Sequence, residues 1–207
     1  KTNNKLHFDL ILITELILSK TEVNKMDWFT KRTLGDTLDI AAERYGDRPA
    51  LSFQNQCWTY TDLNHEADLV AKGLLGLGIK NQENIAVWMT NRPEWIFLMY
   101  GIAKIGACIV PLNTRYRTDD VSYAVKQSKS TVIISLDKSG PINYQNMLAD
   151  TLGNVKVDEK NNIHTDEYPD LKKIIILGKN EIKGSLSWHE MIQAGNNLKN
   201  TSLQMAK

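Results

Sequence analysis

Between Asn91 and Thr131 the chain reads NRPEWIFLMYGIAKIGACIVPLNTRYRTDDVSYAVKQSKST, and this run constrains the fold more than any other. Pro93 to Ile105 is apolar nearly all round, which suits a helix sandwiched inside a fold rather than one lying on its surface. Cys108 to Leu112 is apolar and uncharged, and its length predicts a buried strand. From Asp119 to Ser128 the residues Val121, Ala124 and Val125 fall on one side, as in an amphipathic helix. Thr118 is the expected cap, with Asp119 and Asp120 in the positive first turn and Lys126 and Lys129 at the negative end.

The alternation continues on both sides. Ile85 to Met89, Thr131 to Leu136 and Ile174 to Leu177 are further short apolar strands without interior charge, of the kind normally covered on both faces. Upstream, Thr33 and Asp36 have capping-box spacing before Leu34, Leu38, Ala41, Ala42 and Tyr45, and Gly46 stops that helix. Leu51 and Phe53, then Trp58 and Tyr60, alternate with polar neighbours across Gln54-Asn55-Gln56, which predicts a hairpin. A longer helix follows, with Thr61 as expected cap, a stripe of Leu63, Ala67, Val70, Leu74 and Leu77, and Gly76 and Gly78 at its exit. The fold class expected is therefore α/β, a layered sheet with crossover helices, preceded by a helix and a hairpin. The polar run Gly153 to Asp170 is expected to be a mobile loop, and the tail from Asn196 to fray.

Composition narrows the function classes. With 42% hydrophobic residues there is material for a core, and a formal charge of +1 gives no global field for nucleic acid, so no nucleic-acid partner is expected. Cys57 and Cys108 lie far apart and the four histidines are scattered, so no metal-ligand spacing is legible and a reducing cytoplasmic setting is expected. Leu6 to Leu18 is apolar but is broken by Asp9 and Glu15 and is too short to span a bilayer, so no membrane span is expected. Residues 1–25 are read as upstream or disordered sequence and 26–207 as the folded part.

Most formal motifs dissolve on inspection. Gly73, Gly76 and Gly78 end a helix instead of opening one, the reverse of a dinucleotide loop. Gly101 and Gly106 have phosphate-loop spacing, but Ala107 and Cys108 stand where Lys and Ser/Thr are needed, so close helix-to-sheet packing is the simpler reading. Ser135 and Lys138 form S-x-x-K without its companion elements. Trp58, Tyr60, Trp95 and Tyr100 read as packing. In open α/β sheets ligands gather beyond the carboxyl ends of the strands, and three such ends carry polar residues: Asn91 and Arg92, Arg115 and Arg117, and Lys138. Together they predict a patch for a phosphate-bearing ligand, against the plainer reading of solvated loop residues with Asn91 as a helix cap.

RYGDRPALSF, then WTYTDLNHEADLVAKGLLGLGI, then NIAVWMTNRPEWIFLMYGIAKIGACIVPLNTRY and DDVSYAVKQSKSTVIIS resemble, in order and spacing, the front half of AMP-forming acyl-CoA synthetases and their luciferase and peptide-synthetase relatives. The resemblance runs from about Thr33 to Ala194 and includes Lys104, Gly106-Ala107, Val110-Pro111 and Asn113 to Arg115. It implies the N-terminal subdomain of the adenylate-forming fold. It also implies a parent acid-thiol ligase that joins a carboxylic acid to ATP as an acyl-adenylate, with Mg²⁺, and hands the acyl group to CoA. Asn-Thr-Arg-Tyr and Tyr144 to Leu148 look more like the fatty-acyl enzymes, medium-chain ones among them, than like peptide-synthetase modules. None of the Ser/Thr/Gly-rich phosphate loop, the Tyr-Gly-x-Thr-Glu element or the lid lysine occurs in these 207 residues, so the piece is expected to be an inactive, truncated part that holds no cofactor tightly. No catalytic residue carries over, and Arg115 and Lys138 are the implied contacts to CoA or nucleotide phosphates. The alternatives are a non-catalytic module that binds CoA or a nucleotide or docks on a partner, and an aryl-CoA ligase or peptide-synthetase adenylation domain.

Overall fold

The computed structural model describes residues 32–179 and 182–198. The apolar segment 6–18, the boundary expected at residue 26 and most of the expected fraying tail lie outside the described residues. Helix α1 (Leu34–Tyr45) leads to strands β1 (Pro49–Phe53) and β2 (Gln56–Thr59), then α2 (Tyr60–Gly76), β3 (Asn84–Trp88), α3 (Pro93–Lys104), β4 (Cys108–Pro111), α4 (Thr118–Ser128) and β5 (Val132–Leu136). Next come β6 (Lys138–Ser139), β7 (Ile142–Asn143), α5 (Tyr144–Leu152), β8 (Lys156–Val157), β9 (Ile163–His164), β10 (Lys173–Leu177), β11 (Leu186–Ser187) and α6 (Trp188–Ala194).

Five strands form one parallel sheet in the order β11-β10-β5-β3-β4. From β3 the chain moves out to β4 and then crosses back to β5 on the other side of β3. Right-handed crossovers running in opposite directions put α3 and α4 on opposite faces of the sheet. Strands β5 and β10 are buried at every residue and β3 at all but its first, as strands covered on both faces require, although β10 opens on the charged Lys173. Strand β4 departs from the expectation. It is an edge strand with Cys108 and Pro111 exposed, and a terminal proline is tolerated there because an edge residue owes no ladder hydrogen bond on its open side.

Capping boxes close at both early helices, and the cap of the second lies two residues before its expected place. Thr33 caps α1 as read from the sequence. Thr59, not Thr61, caps α2, because its hydroxyl accepts from the Asp62 N–H while the Asp62 carboxylate accepts from the Thr59 N–H. Tyr60 is consequently the first helical residue rather than a strand residue. Thr118 is likewise the first residue of α4, and the Asp120 carboxylate accepts from the Arg117 N–H in front of it.

The run expected to be a mobile loop instead carries the β8–β9 hairpin. Asp158 accepts from the side chain and N–H of Asn162 and the N–H of Lys160, each at 2.8 Å, and meets His164 Nε2 at 3.1 Å. These donors, the Asn162 side chain foremost, hold its carboxyl well below the usual carboxylate range. The sign follows: the depressed group stabilises the fold above its ordinary pKa of about 4, and the contribution fades only as the pH falls through the lowered value. The buried Lys173 ammonium donates to the carbonyls of Lys160 and Asn161, fastening the hairpin to β10.

Close approach explains several glycines. A Cβ on Gly101 would meet Val70 and Ala67 of α2, so this glycine lets α3 approach α2 and not the sheet. Gly73 and Gly76 do more than end a helix, since their missing Cβ atoms make room for the backbone of α6 at Met191 and Ala194.

The most consequential contact is ionic. Lys104, the last residue of α3, is 1% exposed, and its ammonium donates to Asp39 of α1 at 2.7 Å and to Asn64 of α2 at 2.6 Å, and also to Asp68 of α2. One buried charge thus joins three helices. Replacing one member of such a group is costly because the others lose their counter-charge, although Asp39 and Asp68 are each about one-third exposed and can partly rehydrate. Lys104→Met is expected to lower stability by about 3 kcal/mol in urea unfolding. A loss below about 1 kcal/mol would show that the cluster is incidental.

Candidate functional site

The reversal in strand order lies between β3 and β5, and the crevice beyond their carboxyl ends is where a parallel sheet of this kind receives ligands. Thr90, just past β3, meets Ser139 of β6 with hydroxyls 3.5 Å apart, so the two chain segments touch across that crevice. The short hairpin β6–β7 starts at Lys138, whose side of the ladder faces Asn143. The Asp137 carboxylate accepts from the N–H of Lys138 at 2.6 Å and of Lys179 at 3.0 Å, tying the exits of β5 and β10 together.

On the other side of β3, the loop after β4 carries Arg115 and Arg117, both exposed. Trp88 Nε1 donates to the Asn113 carbonyl at 3.0 Å, and the Asn113 side chain accepts from the Arg115 N–H at 2.9 Å. Tyr144, the first residue of α5, donates its hydroxyl to the Thr114 carbonyl at 3.4 Å. Burial pushes the Tyr144 phenol above its ordinary pKa, so it remains a donor.

The topology therefore sets the predicted cations along one edge of the sheet but does not leave all of them free. Arg92 grips Glu94 through two hydrogen bonds, at 2.8 and 3.1 Å, and is removed from the patch. Asn91 is not the helix cap; Arg92 occupies that position without a side-chain cap bond. Arg117 directs one guanidinium nitrogen toward the Met147 sulfur at 3.9 Å. Arg115 and Lys138 are exposed at the loop after β4 and at the exit of β5, positions compatible with contact to an anion. Ser135 is buried and donates to the Trp88 carbonyl at 3.2 Å, so the S-x-x-K spacing is a coincidence of a strand end.

A cavity of about 200 Å³ lies between the hairpin and the start of α3, lined by Leu51, Phe53, Asn91, Arg92, Pro93, Trp95 and Ile96. Its only cation is already neutralised by Glu94, so it offers a carboxylate no free counter-charge. Among the described residues no group of three or more His, Cys, Asp and Glu is placed to hold a metal ion. No helix among them is long and apolar enough to cross a membrane.

Sequence reading missed Trp88, Asp137 and the role of Tyr144. The signals available were slight: a tryptophan on the last residue of an otherwise aliphatic strand, and an Asn-Tyr pair that opens a helix with Asn143 as cap.

Comparison with known proteins agrees with this fold. Residues 38–196 match the family described as AMP-binding enzyme. The acyl-CoA ligase sidI of Aspergillus fumigatus is 30% identical over 174 residues, which cover 83% of this chain and 28% of that protein. The mitochondrial medium-chain acyl-CoA ligase ACSF2 of Danio rerio is 25% identical over 83% of this chain and 28% of its own. The crystal structure of the anthranilate CoA ligase AuaEII in complex with anthranoyl-AMP superposes with a TM-score of 0.65 at 22% identity, over 78% of this chain and 28% of that one, a likeness of fold. The chain spans less than a third of the length of these relatives.

The exit of β10 tests the frame of this edge. Gly178 has φ of +117°, and a Cβ there would collide with the Asp137 carboxyl. Gly178→Ala is expected to cost at least about 1 kcal/mol and to shift the amide resonances of Lys138 and Lys179. Unchanged resonances at both amides would show that Asp137 does not organise this edge.

Proposed function

Because the chain belongs to the AMP-binding enzyme family, we propose that it is the N-terminal part of an AMP-forming acyl-CoA synthetase acting on a fatty acid. The observation that carries this reading is the continuous family match over residues 38–196, joined to relatives named as acyl-CoA ligases. The medium-chain acyl-CoA ligase among those relatives supports an alkyl substrate, and the anthranilate ligase keeps an aryl substrate as the competing choice.

In this reading the chain supplies scaffold and anion contacts. ATP and CoA would bring phosphates to the carboxyl edge of the sheet, where Arg115 and Lys138 offer charge from two different loops. The described residues suit contact with those phosphates, but they bring no carboxylate cluster together for Mg²⁺, and no metal-dependent step is assigned to them. When bound, ATP supplies the activating adenylyl group. This chain's residues bind and orient, and acyl transfer needs elements that its 207 residues do not include.

Two measurements test the reading. The chain incubated with ATP, Mg²⁺, CoA and medium-chain fatty acids is expected to release no pyrophosphate, whereas the reading frame extended through a phosphate loop is expected to do so, with alkyl acids preferred over benzoate. Turnover by the 207 residues alone would refute the scaffold role, and a preference for benzoate would replace the fatty-acyl assignment. For the anion patch, Arg115→Ala and Lys138→Ala are each expected to weaken CoA binding by roughly five-fold at low salt, and the difference is expected to shrink as screening increases. Unchanged CoA affinity in both variants would remove these residues from the site.

A further inference from the structure

We propose that Tyr144, together with Trp88, is a positioning residue that holds the Arg115 loop and the Lys138 hairpin as one frame. The inference rests on the reading of Arg115 and Lys138 as phosphate contacts, and it adds the groups that fix where those contacts stand.

Trp88 and Tyr144 are both fully buried, and their rings meet edge to face with centroids 4.9 Å apart and planes at 88°. Such a pair fills a core well, but packing alone does not dictate where its polar atoms point. Here the two donors go to consecutive carbonyls of one loop, Trp88 Nε1 to Asn113 and the Tyr144 hydroxyl to Thr114. The next residue is Arg115, whose own N–H is taken by the Asn113 side chain. The backbone that carries the guanidinium is therefore held from β3, from α5 and from within the loop.

The opposite side of the frame leads to Lys138. Asn143, immediately before Tyr144, is the cross-strand partner of Lys138. Gln145, immediately after it, donates its N–H to the Asp137 carbonyl at 3.1 Å. The residues flanking Tyr144 thus hold the segment that starts the hairpin, while its hydroxyl holds the loop after β4. A displacement of Tyr144 would move both cations relative to each other. Recognition of an extended polyphosphate by two separate loops depends on that spacing.

The test uses the full 207-residue chain and Tyr144→Phe, which keeps the ring and deletes only the hydroxyl. Amide hydrogen exchange at Arg115 and Tyr116 is expected to quicken about five-fold while amides of β3 and β5 keep their rates. CoA affinity, measured by calorimetry, is expected to fall several-fold, and Tyr144→Phe is expected to add nothing in an Arg115→Ala background, since the two changes act through one contact. Trp88→Phe, which removes the indole donor, is expected to reproduce the exchange change; if that variant does not fold, Tyr144→Phe decides alone. Unchanged exchange at Arg115 in Tyr144→Phe, or additive losses of affinity in the double variant, would overturn the proposal. If Arg115→Ala alone leaves CoA binding intact, it is the phosphate-contact reading that fails, and the exchange rates still report whether the frame exists.

Discussion

The buried Lys104 ammonium ties together helices α1, α2 and α3. Lys104 closes α3, and its charge is answered by Asp39 on α1 and by Asn64 and Asp68 on α2, so that three helices share one electrostatic knot. A desolvated lysine without such acceptors would be far more costly than an apolar residue in its place. The knot also fixes distances further along the chain. Gly35 lies against the Lys104 backbone, where a Cβ would stand 2.9 Å from its Cα, and Gly101 lets α3 close onto α2. With α3 held, both of its ends are set: one receives the chain from β3, and the other delivers it to β4.

From that arrangement the carboxyl edge follows. Strands β3, β4 and β5 release their chains side by side, and the loops they feed carry cations. Which cations remain available is decided by local partners rather than by charge count. Glu94 absorbs Arg92, while Arg115 and Lys138 stay exposed on loops whose backbones are tied down by Asn113, Trp88, Tyr144 and Asp137. An exposed charge on a fixed backbone is suited to orienting an anion.

Much of this architecture was legible in the residues, and the misses share a physical cause. The uncharged strands at Ile85, Val132 and Ile174 and the stripe of Leu63, Ala67, Val70 and Leu74 depend on short-range periodicity, which sequence displays directly. The cap of α2 is ambiguous in sequence because Thr59 and Thr61 both precede the apolar stripe, and only the reach of Asp62 selects between them. The hairpin within Gly153 to Asp170 was hidden by its polarity, since Asp158 organises it through hydrogen bonds and not through apolar burial. The glycines on α2 look like a helix stop in sequence because their neighbour, α6, lies more than a hundred residues downstream. The site showed the same divide: cations at strand ends could be listed from topology, but the capture of Arg92 by Glu94 and the reach of Trp88 to Asn113 are side-chain facts that no spacing reveals.

The proposed phosphate-bearing ligand is received, among the described residues, at the carboxyl edge of this sheet rather than at its opposite edge. Amide chemical shifts followed while the 207-residue chain is titrated with CoA test this placement most directly. The account predicts saturable changes confined to residues 89–92, 112–117 and 137–139. Changes centred on the opposite edge, around Glu83, Thr131 and the β8–β9 hairpin, or no saturable change at any amide, would contradict it.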